Sequence, residues 1–138
     1  MAIELTTKTI RLLTLFENIT NVGVKDCFEN NNTVYYVVEE GKIGLAIGKN
    51  GNSIKQVERI VNKKVKVYEY SPDPIVFLKK LIPVVKEVKL INENNKTIAE
   101  IKVDKKNKGC VMGRGGQKIK IFKEICKRIH NISDIRVI

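Results

Sequence analysis

Apolar residues along the chain switch between helical and strand spacing, and the same order of switches occurs twice. From Thr6 to Phe16, Thr9, Leu12, Leu13 and Phe16 share one helical face, which predicts a first helix. Two extended stretches follow, Val22–Phe28 and Thr33–Glu39, around the turn-forming run Glu29, Asn30, Asn31 and Asn32. A short helix is expected from Gly41 to Ile47. A longer one is expected from Asn52 to Asn62, burying Ile54, Val57, Ile60 and Val61. Lys64-Val65-Lys66-Val67-Tyr68 alternates as a strand does.

Ser71-Pro72-Asp73-Pro74 marks a boundary: Pro74 suits a first helical position and Asp73 the cap before it. The order then repeats. A helix runs to about Ile82, strands lie near Val84–Ile91 and Thr97–Val103, and Asn92, Asn94 and Asn95 lie between them. A short helix leads to Gly113-Arg114-Gly115-Gly116, a longer one spans Gln117–His130, and Asp134–Ile138 is the last strand. Superposed without gaps, the halves match Gly44 with Gly109, Gly48 with Gly113, Gly51 with Gly116, Ile54 with Ile119, Lys55 with Lys120 and Ile60 with Ile125. Lys49 falls on Arg114, so the charge is kept. The chain thus reads as a duplicated helix–strand–strand–helix–helix–strand unit, residues 1–71 and 72–138. The short connector with two prolines predicts that the units pack rigidly.

Charge narrows the function. The 138 residues carry a formal charge of +11, which favours a polyanionic partner. Residues 1–71 hold ten Lys/Arg against eight Asp/Glu, a balance of +2. Residues 72–138 hold sixteen against seven, a balance of +9. The excess gathers around the second glycine loop, in Lys105, Lys106, Lys108, Arg114, Lys118, Lys120, Lys123, Lys127 and Arg128. Lys118 and Lys120 fall in the first helical turn after that loop, where a cation opposes the helix dipole unless an anion arrives. No run approaches the roughly 20 apolar residues of a membrane span, and the N-terminus does not read as a signal peptide. With three widely spaced cysteines, Cys27, Cys110 and Cys126, no disulfide framework is expected and the chain reads as cytoplasmic.

Several chemistries are set aside. Gly44-Leu45-Ala46-Ile47-Gly48-Lys49-Asn50 lacks the first glycine and the final hydroxyl of a P-loop. The second loop puts Lys118 where the dinucleotide pattern has its third glycine. Cys126 and His130 could share a helix face with a metal, but no C-x-x-C supplies further ligands. Cys110 and Cys126 are expected to be small buried core residues. His130, the one histidine, has no evident catalytic partner. No enzyme activity, metal or cofactor is expected.

The two glycine loops carry the functional signal. Glycines three apart between helices remove side chains that would block a polymer backbone and accept φ > 0. The next helix then offers free N–H groups to a phosphate, beside Lys49 or Arg114. Ile47-Gly48-Lys49-Asn50-Gly51-Asn52-Ser53-Ile54 and Met112-Gly113-Arg114-Gly115-Gly116-Gln117-Lys118-Ile119 resemble the I-G-x-x-G-x-x-I signature of KH domains. The element order resembles the type II form, and the tandem layout resembles the family of archaeal NusA-like transcription factors. No stretch resembles the S1 or N-terminal polymerase-binding domain of the bacterial relative.

The resemblance implies an α+β fold of two tandem type II KH domains, each a three-stranded sheet with helices on one face. It implies single-stranded RNA as partner, with RNA polymerase or a transcription complex as a further one; no membrane partner is expected, and two fused modules reduce the need for another copy, so a monomer is expected. It implies backbone clamping by Gly48, Lys49, Asn50 and Gly51 and by Gly113, Arg114, Gly115 and Gly116, with Lys118 and Lys120 assisting and bases in an apolar groove. Ile47 and Met112 are groove candidates, as are Leu45, Ile54, Cys110 and Ile119, though core packing would explain most of these equally well. Gly44 and Gly109 are expected to allow close helix packing, and Gly115 to loosen the second loop. The competing readings are a tandem KH factor in ribosome assembly or RNA decay, and a protein–protein scaffold with idle grooves.

Overall fold

The computed structural model describes residues 6–138, which divide into two compact units at Ser71 and Pro72. In the first unit, α1 spans Thr7–Thr20. The Thr6 hydroxyl caps it by accepting the Thr9 N–H at 3.1 Å. The helix runs one turn past the expected end at Phe16 because the apolar spacing continues through Ile19. The buried Thr20 hydroxyl also donates back to the Phe16 carbonyl at 2.8 Å. Asn21, in the left-handed region at φ 59°, ends it.

Strands β1 (Val24–Asn30) and β2 (Thr33–Val38) form an antiparallel hairpin. Asn31 and Asn32, at φ 49° and 62°, make the two-residue turn that matches the twist of the strands. β3 (Lys64–Glu69) lies parallel to β2, so the chain must cross over between them. The crossover is α2 (Ile43–Ile47), a single 3-10 turn at Lys49–Gly51, and α3 (Asn52–Val61). Strand order is β1-β2-β3.

One side of this sheet builds the core. Val34, Tyr36 and Val38 of β2 pack with Cys27, Val65, Phe16, Ala46 and Val57. Tyr36 stacks on Phe16 with ring centroids 4.1 Å apart, and its hydroxyl donates to the Leu12 carbonyl at 2.8 Å. Burial pushes that hydroxyl's pKa well above the ordinary tyrosine value. At the hairpin tip Glu29 takes Lys8 and Lys63, each at 2.6 Å, and their hydrogen bonds hold its carboxyl below the usual range. Ile60, expected inside, is 55% exposed. Ile54, Val57 and Val61 set the inward stripe of α3, and at 100° per residue Ile60 lies about 90° from its centre.

The second unit repeats the order with longer hairpin strands and crossover helices but a shorter first helix and last strand. α4 (Pro74–Leu81) starts behind Asp73, whose carboxylate accepts the N–H groups of Ile75 and Val76 at 2.9 and 3.4 Å. β4 (Val85–Glu93) and β5 (Lys96–Val103) turn through Asn94 and Asn95, again both at positive φ. α5 (Lys105–Met112), a 3-10 turn at Arg114–Gly116 and α6 (Gln117–His130) lead to β6 (Asp134–Val137), parallel to β5. Each unit is therefore a three-stranded mixed sheet with helices, an α+β arrangement. Among the described residues no helix is long and apolar enough to cross a membrane.

Candidate nucleic-acid interface

The two loops have the same backbone. Gly48 and Gly113 stand at φ 78°, ψ 171° and φ 74°, ψ 172°, a region essentially closed to residues with a side chain. Asn50 (φ 56°, ψ 28°) and Gly115 (φ 62°, ψ 20°) are both left-handed, as are Gly51 and Gly116. Gly115 therefore occupies the conformation that Asn50 tolerates, and the second loop folds as the first does. Matching hydrogen bonds fix each turn. Gly48 N–H donates to the Gly44 carbonyl at 3.0 Å and Gly51 N–H to Gly48 at 3.1 Å; the counterparts from Gly113 and Gly116 are 2.9 and 3.1 Å.

The glycines have different reasons to be glycine. A Cβ on Gly48 would stand 2.9 Å from the backbone nitrogen of Ser53, and one on Gly113 2.8 Å from that of Lys118. A Cβ on Gly51 or Gly116 would meet only ordinary contacts at 3.9 Å, so there the positive φ alone favours glycine. Gly44 and Gly109 correct the expectation of close helix packing: both are exposed, and a Cβ on either would find nothing within 4 Å.

Beside each loop lies bare apolar surface. Leu45, Ile47 and Met112 are 56%, 36% and 40% exposed, and Cys110 is exposed too. These four are not core, whereas Ile119 is buried and Ile54 packs against the core. The expectation of a buried Cys110 is thus overturned, because α5 turns Val111 inward and leaves its neighbours outside. Cys27 and Cys126 are buried, and burial pushes the Cys126 thiol up to about 12. Native protein is expected to react with a thiol reagent at one equivalent, through Cys110, and at three equivalents after denaturation. Counting released thionitrobenzoate checks this.

Electrostatics favour an anion at the same places. α3 and α6 begin at Gly51 and Gly116 with no side-chain cap and no acidic residue in the first turn. Their leading N–H groups and dipole ends meet positive surface instead. Lys49, Arg114, Lys118 and Lys120 are exposed and form no ion pair among the described residues. Other cations of the second unit do: Lys123 with Asp134 at 3.1 Å, Lys86 with Asp104 at 2.8 Å and Arg136 with Glu93 at 3.1 Å. Sequence reasoning did not single out Ser53, which lies over Gly48 as Lys118 lies over Gly113. The one available signal was the repeat spacing that pairs the two residues.

The chain is similar to known proteins. The family profile described as a KH domain matches residues 13–90, which run from α1 into β4. A Methanocaldococcus jannaschii protein named "Probable transcription termination protein NusA" is 34% identical over 138 residues, covering 99% of this chain and 75% of its own. A Halococcus morrhuae protein of the same name is 30% identical over 99% of both chains. The crystal structure of APE1850 superposes with a TM-score of 0.86 at 28% identity, covering 97% of this chain and all of that one.

Proposed function

The chain belongs to the KH-domain family, among the archaeal NusA proteins, and from that premise we propose that it grips single-stranded RNA with both glycine loops. It is an RNA-binding transcription termination factor of the NusA type and not an enzyme. In the proposed mode the strand's backbone lies along Gly48, Lys49, Asn50 and Gly51 and along Gly113, Arg114, Gly115 and Gly116. Lys118 and Lys120 add charge, and bases rest on the apolar surface at Ile47 and Met112. One observation carries this reading: both loops bring together an uncapped helix start, an exposed apolar side chain and a cation that forms no ion pair among the described residues. The charge balance of +9 in residues 72–138 supports the second unit as the stronger electrostatic anchor. RNA polymerase or a transcription complex is the further partner that membership in this family supports.

The bare Cα atoms of Gly44 and Gly109 belong to the same surface. An exposed helical glycine is less stable than alanine by roughly 0.5–1 kcal/mol. Among the described residues nothing requires it at these two positions. Close approach of the RNA does. Gly44→Ala with Gly109→Ala is expected to raise the denaturation midpoint while lowering RNA affinity about tenfold. Stabilisation with unchanged affinity would mean that the strand does not run over these helices.

The deciding experiment titrates the protein with short single-stranded RNA, with duplex RNA and single-stranded DNA as controls, across a range of salt. Tight binding to the single-stranded RNA that weakens with salt, and weaker binding to duplex, is the expected result. A protein that ignores single-stranded RNA would instead be a scaffold with idle grooves.

A further inference from the structure

We propose that the residue lying over the first glycine of each loop, Ser53 in one unit and Lys118 in the other, is a phosphate ligand whose chemistry ranks the two modules. The inference rests on the clamp reading above and deepens it.

The two loops share one backbone and differ in what touches it. Over Gly48 the nearest side-chain atoms are the Oγ and Cβ of Ser53; over Gly113 they are the Cβ and Cγ of Lys118. In both units the backbone nitrogen of that same residue closes on the same point, at 2.9 and 2.8 Å from where a glycine Cβ would be. A main-chain group of the first helical turn and a side chain therefore converge above the glycine. Both side chains are available: Ser53 forms no hydrogen bond and Lys118 no ion pair among the described residues. Neither serves as the missing helix cap.

Lys118 is a cation at the positive end of a fourteen-residue helix, an arrangement that favours an arriving anion. Its stem lies on Gly113 while the residue as a whole stays exposed. Ser53, half-buried, offers a neutral hydroxyl at the equivalent point. A phosphate reaching the second loop thus meets a full charge beside Arg114. At the first loop it meets a hydroxyl beside Lys49. The second unit holds the strand by salt-sensitive attraction, and the first fixes register with a contact that salt weakens little.

The test exchanges the two residues in the full chain, with one loop disabled at a time. Lys49→Asp with Asn50→Asp silences the first loop; Arg114→Asp with Gly115→Asp silences the second. In the second-silenced protein, Ser53→Lys is expected to raise affinity for single-stranded RNA about tenfold. It should also steepen the slope of log K on log salt by about 0.7. In the first-silenced protein, Lys118→Ser and Lys118→Met are expected to flatten that slope by the same amount. Lys118→Met keeps the stem over Gly113, so a residue that merely fills space would leave affinity unchanged in that variant. Slopes indifferent to all three substitutions, with RNA binding by the wild type intact, would overturn the proposal and spare the clamp. Absence of RNA binding by the wild type would overturn both.

Discussion

Replacing Lys49, Asn50, Arg114 and Gly115 together by Asp is expected to weaken single-stranded RNA binding at least 100-fold and to leave the fold intact. The loss follows from removing two cations that form no ion pair among the described residues and adding four carboxylates where phosphates are to lie; each charge-assisted contact is worth about 1.5–3 kcal/mol. The tolerance follows from the backbone. Asn50 is left-handed, and Asp shares with Asn a short polar side chain that accepts this region. At Gly115 a Cβ meets nothing within 4 Å. The new carboxylates also stand just before α3 and α6, whose uncapped starts favour negative charge by about 0.3–1 kcal/mol each. The denaturation midpoint should therefore hold or rise while binding disappears. The substitutions lower the net charge by six, from +11 to +5. A control with Lys64, Lys66 and Lys79 changed to Glu lowers it equally, away from the loops. If the control lost as much affinity as the loop variant, general charge rather than the loops would hold the RNA.

Gly113→Ala is expected to destabilise the second unit by about 2–6 kcal/mol. Forcing a side chain into its backbone region is worth about 1–3 kcal/mol. Overlap with the backbone nitrogen of Lys118 adds about 1–3 kcal/mol. A small domain has only about 5–15 kcal/mol in all, so the loss is visible at ambient temperature. Gly116→Ala, which meets only the left-handed requirement, should lose about 1–2 kcal/mol. Gly115→Asn should be near neutral, since Asn50 already lives in that conformation. Urea unfolding followed by circular dichroism ranks the three. Equal losses at Gly113 and Gly116 would mean that contact with the start of α6 sets no requirement. Gly48→Ala should behave as Gly113→Ala does, against the Ser53 nitrogen.

Much of this was legible in the residues because it is local. The cap at Asp73 announces a helix, and asparagine-rich runs announce turns between strands. The spacing of Gly48–Gly51 and Gly113–Gly116 announces the loops. Alternation in Lys64–Tyr68 and helical spacing in Gln117–His130 placed elements close to where they stand. Boundaries slipped where a side chain settled them, as when the Thr20 hydroxyl carried α1 one turn beyond Phe16.

What tertiary structure alone decided concerns which neighbours each residue meets. Ile60 and Ile125 occupy equivalent places in the repeat, yet one is 55% exposed and the other fully buried. Cys110 and Cys126 are the same residue type on successive helices, and the fold turned one to solvent and sealed the other. Gly48, Gly51 and Gly44 read alike as glycines. The approach of the following helix made the first a steric necessity, the left-handed backbone made the second a conformational one, and the third faces open space. The same approach set Ser53 and Lys118 over the clamps. Periodicity and turn chemistry act over a few residues and are written in the sequence. Exposure and contact depend on elements distant along the chain, and those are fixed only when the helices close onto their sheets.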